Sequence, residues 1–228
     1  MTAAGHAPSS GGVILAIDSA TTRVVVAAGT LDGSMIEAVD WPAGYRHGES
    51  LLPAIDALLT RLGIEPARIA AVVVGTGPGA FTGLRVGIAT AKGLAHALGR
   101  PIIGISTADA LLADAPDGAV LLLPAGPSDR LVIRRGGPAA LVPSGADAAI
   151  PTQAVLLAVD LDGRAPEGAL ELGEAARVRL GASLVALGAA RLAAGDVDDL
   201  ARLVPEYVTL PRGVRADVGE VSWSRDRR

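Results

Sequence analysis

Residues 75–87 read GTGPGAFTGLRVG, a glycine-rich run between the apolar segment IAAVVVG (69–75) and a stretch of helical periodicity. A strand, a glycine turn and a helix in that order form either a phosphate cradle or a tight packing joint, and the flanking residues decide which. Gly75, Gly77 and Ala80 satisfy the permissive dinucleotide pattern G-x-G-x-x-G/A. That pattern also needs an acidic side chain about 20 residues on to hold the ribose hydroxyls. No Asp or Glu lies between Glu65 and Asp109. A P-loop needs a lysine directly after its last glycine to reach the phosphates, and the single lysine, Lys92, sits well inside the following helix. Gly77, Pro78 and Gly79 therefore read as a tight turn, with Thr82 as the expected helix cap.

In the helix expected over 82–99, Gly83, Gly87, Ala91 and Ala95 recur every four residues and form a strip without bulk. Leu84, Ile88 and Leu98 flank the strip, while Arg85, Lys92 and His96 share a more polar side. Such a strip lets a second backbone approach closely, either the chain's own or that of a partner helix. We carry forward the partner reading.

Working outward, VILAIDSA (13–20), RVVVAAGTL (23–31) and SMIEAVDW (34–41) are apolar runs with short connections, an antiparallel three-strand opening. In SLLPAIDALLTRLG (50–63), Leu51, Leu52, Ile55, Leu58, Leu59 and Leu62 fall on one helical face, with Ser50 as expected cap and Gly63 as expected stop. PIIGIS (101–106) is a further buried strand, and Ser106 with Asp109 has capping-box spacing. The order β-β-β-α-β-α-β predicts a mixed α/β layer. Further on, AVLLLPAG and RLVIRRGG read as a strand pair and AVLLAVD as another strand. A glycine-bearing helix is expected over 171–195, and a second capping box from Asp196 to Asp199.

Half of the 228 residues are hydrophobic and the formal charge is −4, which marks a folded chain without the basic surface of an unaided nucleic-acid binder. Aromatics make up 2%, too few for base-stacking platforms. The absence of cysteine excludes disulfides and thiolate metal sites. No secretory leader or membrane-length apolar run is read in the sequence, so a cytoplasmic protein is expected.

The segments ILAIDSATT, HGESLLPAIDALL, GTGPGAFTGLRVGIATAKGLA and RPIIGIST together resemble the TsaB (YeaZ) family, and PEYVTLP (205–211) resembles that family's segment after its last helices. The resemblance implies an actin-like ATPase (ASKHA) fold of two α/β lobes with mixed sheets, the second lobe reduced. It implies an accessory role in making threonylcarbamoyladenosine beside the anticodon of tRNA. The implied partners are a TsaD-like catalytic subunit and a TsaE-like ATPase, with a homodimer in isolation, tRNA met only indirectly and no membrane. The implied partner interface comprises Leu51, Leu52, Ile55, Leu58, Leu59, Gly83, Leu84, Gly87, Ile88, Ala91 and Ala95. The expected division is a tail at 1–12, a motif-bearing lobe at 13–113, a smaller lobe at 114–205 and an extension at 206–228.

TsaD-like relatives carry an H-x-x-x-H metal pair after the strand matching PIIGIS; here Thr107 and Leu111 stand there. No metal site is expected from His6, His47 and His96. Asp18, with Thr21 and Thr22, occupies the place of the carboxylate that actin-like ATPases set near phosphate and magnesium. These three are the candidates for a weak ATP or ADP site, against a turn-stabilising role for Asp18; otherwise no cofactor is expected. In the second lobe, Ala125, Pro127 and Arg130 replace the Asp, Arg and Glu of the family's D-A-R-x-G-E-V-Y segment. Asp160, Asp162, Glu167 and Glu171 read as a solvated loop. The rival readings are a nucleotide-dependent phosphotransferase of the actin-like class and a peptidase-like enzyme.

Overall fold

Six consecutive buried residues make up β1 (Val13–Asp18), the pattern of a strand covered on both faces. Strand alternation splits them between two cores, with Val13, Leu15 and Ile17 on one side and Ile14 and Ala16 on the other. The computed structural model describes residues 11–42, 47–144, 146 and 153–208 and sets β1 at the centre of a five-stranded sheet. β2 (Arg23–Thr30) lies antiparallel beside it and β3 (Met35–Pro42) antiparallel to β2. β4 (Ile69–Gly75) and β5 (Ile102–Ile105) continue in parallel on the other side, giving the order β3-β2-β1-β4-β5.

Two crossover helices, α1 (His47–Leu62) and α2 (Phe81–Leu98), cover one face of this sheet. Leu51, Ile55, Leu58 and Leu59 of α1, and Ile88, Ala91 and Ala95 of α2, pack on the Val13, Leu15 and Ile17 side. The opposite face receives α3 (Thr107–Leu112) and the long α4 (Ala169–Ala193). Beyond them lies a second sheet of β6 (Val120–Ala125), β7 (Asp129–Arg134), β8 (Ala140–Val142) and β9 (Leu156–Ala158), in the order β8-β7-β6-β9. It repeats the first sheet's plan, two antiparallel neighbours on one side and a parallel strand on the other, with no counterpart of β5 among the described residues.

One continuous core joins the sheets. Ile14, Ala16, Val73 and Ile103 from the first, and Leu121, Leu123, Ile133 and Leu157 from the second, meet through Leu111 of α3 and Leu180 and Leu184 of α4. Each large side chain buried there contributes about 1.5–3 kcal/mol. The glycines of α4 are explained by this position. Gly173 lies against the β9 backbone, Gly181 against Ala27 and Ala38, and Gly188 against Val73, so the helix presses closely on both sheets.

The helix stops follow the sequence. Gly63 and Gly99 adopt left-handed φ, and Ile64 N–H closes back on the Leu59 carbonyl. Ser106 caps α3 by accepting the Asp109 N–H, whereas the Asp109 carboxylate turns away to accept the Gly136 N–H. Three expectations fail. The turn at Gly77–Gly79 delivers Ala80 early, its N–H to the Ala20 carbonyl and its own carbonyl to Leu84 N–H, so Ala80 is the N-cap of α2 and Thr82 caps nothing. α1 begins at His47, upstream of Ser50, whose hydroxyl instead accepts the Trp41 indole N–H. No capping box forms from Asp196 to Asp199, and no second helix follows α4 among the described residues. Asp196 pairs with Arg191, and Asp198 docks on the edge of β5 through its N–H to the Ile102 carbonyl and its carboxylate to Gly104 N–H. Tail residues 1–10 and 209–228, with His6, fall outside the described residues, as does the side chain of His47. No helix among the described residues is long and apolar enough to cross a membrane.

A Cβ at position 173 would lie 1.9 Å from the Ala158 carbonyl oxygen. Gly173→Ala is expected to lower the stability read from urea denaturation by about 1–3 kcal/mol. Gly93→Ala, where a Cβ meets open space, is expected to raise it by up to about 1 kcal/mol.

Candidate functional site

The glycine run and the end of β1 are built against each other. A Cβ on Gly75 would meet Asp18 Oδ2 at 1.8 Å, one on Gly79 the Ala20 carbonyl oxygen at 2.1 Å, and one on Gly87 Ser19 Oγ at 2.2 Å. The Ser19 hydroxyl donates to the Gly83 carbonyl at 2.7 Å. The missing side chains of residues 75–87 are thus space filled by residues 18–20.

Asp18 is fully buried beneath this joint. Its Oδ2 accepts the Thr107 hydroxyl at 2.6 Å and its Oδ1 the Ala20 N–H at 2.9 Å. The Thr107 hydroxyl in turn accepts the Gly77 N–H, and Thr107 N–H donates to the Gly77 carbonyl. Three elements, β1, the turn before α2 and the start of α3, are tied through one carboxylate. Burial pushes the Asp18 carboxyl up to about 6, against the opposing pull of the Thr107 hydroxyl and the Ala20 N–H. Thr21 is also buried, its hydroxyl exchanging hydrogen bonds with the backbone of Arg23. Thr22 is exposed and reaches across to the second sheet, donating its N–H at 2.7 Å and its hydroxyl to the two carboxylate oxygens of Asp160.

Between the sheets lies a cleft of about 310 Å³ lined chiefly by apolar groups, among them Ala20, Pro78, Leu123, Pro124 and Leu131. Phe81 and Tyr207 form one wall, their ring centroids 5.1 Å apart, with the Arg85 guanidinium over the Phe81 ring and donating to the Tyr207 hydroxyl. The charged groups on the cleft lining are the carboxylates Asp160 and Glu206. Burial and the neighbouring Asp109 charge push Glu206 above its ordinary range. No lysine or arginine lines the cleft among the described residues.

An adenine nucleotide with magnesium, which the fold class implies, does not fit this donor set. Polyphosphate would meet no lysine or arginine on this lining, and of the two carboxylates that could hold magnesium Asp160 is already engaged by Thr22. Asp18 already accepts internal hydrogen bonds on both oxygens and does not line the cleft. Thr22, the one outward member of the proposed trio, is held by Asp160. Of the proposed partner interface, Leu52 is exposed. Leu51, Ile55, Leu58, Leu59, Gly83, Leu84, Gly87, Ile88, Ala91 and Ala95 are buried within the chain itself. The small-residue strip therefore receives the chain's own Ser19 and first sheet. The α1–α2 surface left outside carries Leu52, Pro53, Arg85 and Ala89.

Asp160, Glu206 and Tyr207 were not legible as site residues. Asp160 reads as one of several loop acids, and only its left-handed backbone, φ 59°, and its place opposite Thr22 distinguish it. Thr107 carried a partial signal, since its position matched a metal-ligand place while its chemistry did not.

The five-stranded mixed sheet, the second sheet repeating its plan and the helices packed between them define an actin-like two-lobed protein whose strand-end site is closed by internal hydrogen bonds. The family model described as TsaD: tRNA N6-adenosine threonylcarbamoyltransferase matches residues 41–208, and the chain belongs to that family. Within it the likeness runs to TsaB (YeaZ) proteins. The chain is 42% identical over 94 residues to the tRNA threonylcarbamoyladenosine biosynthesis protein TsaB of Escherichia coli, a match covering 41% of this chain and 40% of that one. It is 42% identical over 103 residues to an uncharacterised protein of Mycobacterium leprae, covering 43% of this chain and 28% of the other. These matches thus span less than half the length of either relative. YeaZ from Pseudomonas aeruginosa shares the fold, with a TM-score of 0.65 at 22% identity over 86% of this chain and all of that one.

The raised Asp18 value carries a pH dependence. The native state holds this proton more tightly than the unfolded chain, so the stability it supplies is complete below about 4 and is lost as pH rises through about 6. Asp18→Asn removes the ionisation. The stability of the variant relative to the natural chain is expected to rise by up to about 3 kcal/mol between pH 4 and pH 7.5, read from denaturant midpoints at each pH.

Proposed function

We propose that this chain is the non-catalytic partner of a TsaD-like threonylcarbamoyltransferase in forming threonylcarbamoyladenosine on tRNA, in the cytoplasm, and that it docks through the outer surface of α1 and α2. One observation carries the non-catalytic part of this reading. Thr107, which stands at the first position of the transferase-type metal pair, is fully buried and committed to Asp18 and Gly77, and Leu111 at the second position is core. That strand end holds an internal network in place of a metal. In this reading tRNA and a TsaE-like ATPase meet the chain through its partner, and the chain pairs with its own copy when the partner is absent. The reading assigns it no nucleotide of its own, in keeping with a cleft lining that has no lysine or arginine for polyphosphate among the described residues. The same cleft chemistry weighs against the phosphotransferase reading, and Thr107 and Leu111 weigh against the metal-dependent peptidase reading.

Outward residues test the docking surface, because Gly87 and Ala91 are buried and bulky replacements there would damage the fold. The chain is expected to co-purify with the TsaD-like protein encoded in the same genome. Leu52→Glu is expected to weaken that complex tenfold or more, the loss of about 1.4 kcal/mol or more, with an unchanged melting temperature. No complex with the natural chain would remove the reading, and an undiminished complex with Leu52→Glu would remove α1 from the interface. Millimolar magnesium and ATP are expected to leave the melting temperature within about 1 °C of its value without them, as binding well above millimolar Kd stabilises little.

A further inference from the structure

We infer that Thr22 and Asp160 form a latch that holds the two sheets together at the rim of the inter-lobe groove and divides that groove into two separate cavities. The pair joins residues 138 positions apart, the β1–β2 turn of the first sheet and the turn after β9 of the second. Both donors come from Thr22, backbone N–H and hydroxyl, and each takes a different oxygen of one carboxylate, a two-point charge-assisted contact that fixes direction as well as distance.

The position of the pair supplies the second argument. On one side is the apolar cleft over Phe81 and Tyr207; on the other is a polar cavity of about 540 Å³ that includes Arg23, Asp162, Glu174 and Arg177. The two cavities have two lining residues in common, and these are Thr22 and Asp160. The latch is therefore the wall between them, and without it the apolar and polar halves become one groove open along the sheet ends.

The backbone supplies the third. Asp160 is the one non-glycine residue with positive φ among the described residues, at 59°. Such a conformation persists where the surroundings hold it, and here it belongs to the residue whose carboxylate faces Thr22. The shared core already joins the sheets through α3 and α4, and this pair adds a tie at the rim made by the chain's own groups.

Amide hydrogen exchange of the full chain, followed by mass spectrometry, tests the latch. Asp160→Gly removes the carboxylate and suits the left-handed backbone. It is expected to raise exchange tenfold or more in both rims, residues 78–81 and 123–126, which Asp160 does not hydrogen-bond, while β4 stays protected. Thr22→Val, which keeps the backbone donor, is expected to give a smaller rise at the same places, and the double variant no more than Asp160→Gly alone. Asp162→Asn, on the polar cavity but outside the latch, is expected to leave both rims unchanged. A rise confined to Thr22 and its neighbours would reduce the pair to a local hydrogen bond and overturn the inference, as would additive effects in the double variant. Should Asp160→Gly not fold, Thr22→Val carries the comparison alone: a rise at both rims supports the latch, and a rise confined to residue 22 and its neighbours overturns it.

Discussion

The close approach of residues 75–87 to residues 18–20 is the constraint on which the structure rests. Asp18, Ser19 and Ala20 occupy the space that side chains on Gly75, Gly87 and Gly79 would need. This contact lets the turn after β4 pass close over the end of β1, starts α2 one residue before its expected first turn, and packs α2 against Ser19. From the same joint Thr107 brings α3 into register, and α3 and α4 carry the shared core to the second sheet. A phosphate-binding loop leaves its glycine amides open to a ligand; here Gly77 N–H is taken by Thr107.

The joint also explains how an actin-like fold is compatible with a role other than nucleotide chemistry. Asp18, where the resemblance implies a nucleotide-binding carboxylate, is buried in this chain as a structural crosslink between three elements. The cleft that remains is apolar and acidic. The outer side of the α1–α2 layer is a surface and not a pocket, with Leu52, Pro53, Arg85 and Ala89 exposed on it.

Much of the fold is legible in the sequence. The switch from continuous apolar runs in VILAID and RVVVAAGT to helical period in SLLPAIDALL located strands and helices, and the left-handed Gly63 ends α1 as expected. The failures have local causes. Thr82 lost its capping place because a tertiary bond from Ala80 N–H to Ala20 began the helix early. The capping box read from Asp196 to Asp199 lost to the open edge of β5, which offered Asp198 two backbone partners. The site was less legible, since Asp160, Glu206 and Tyr207 come from distant segments and acquire meaning only through what faces them.

The sequence by itself determined that the glycine run is no phosphate loop, because the acid and the lysine such loops need are absent from fixed offsets along the chain. It also determined the order of elements, since hydrophobic period and turn residues are local properties. Which surface fills the small-residue strip was decided only in three dimensions. Gly83, Gly87, Ala91 and Ala95 have the same spacing whether they receive a foreign helix or the chain's own β1. The outcome depends on whether Ser19 and the first sheet reach them first. The pairing of Thr22 with Asp160 is tertiary for the same reason, as nothing local links residues 138 positions apart until both sheets are in place.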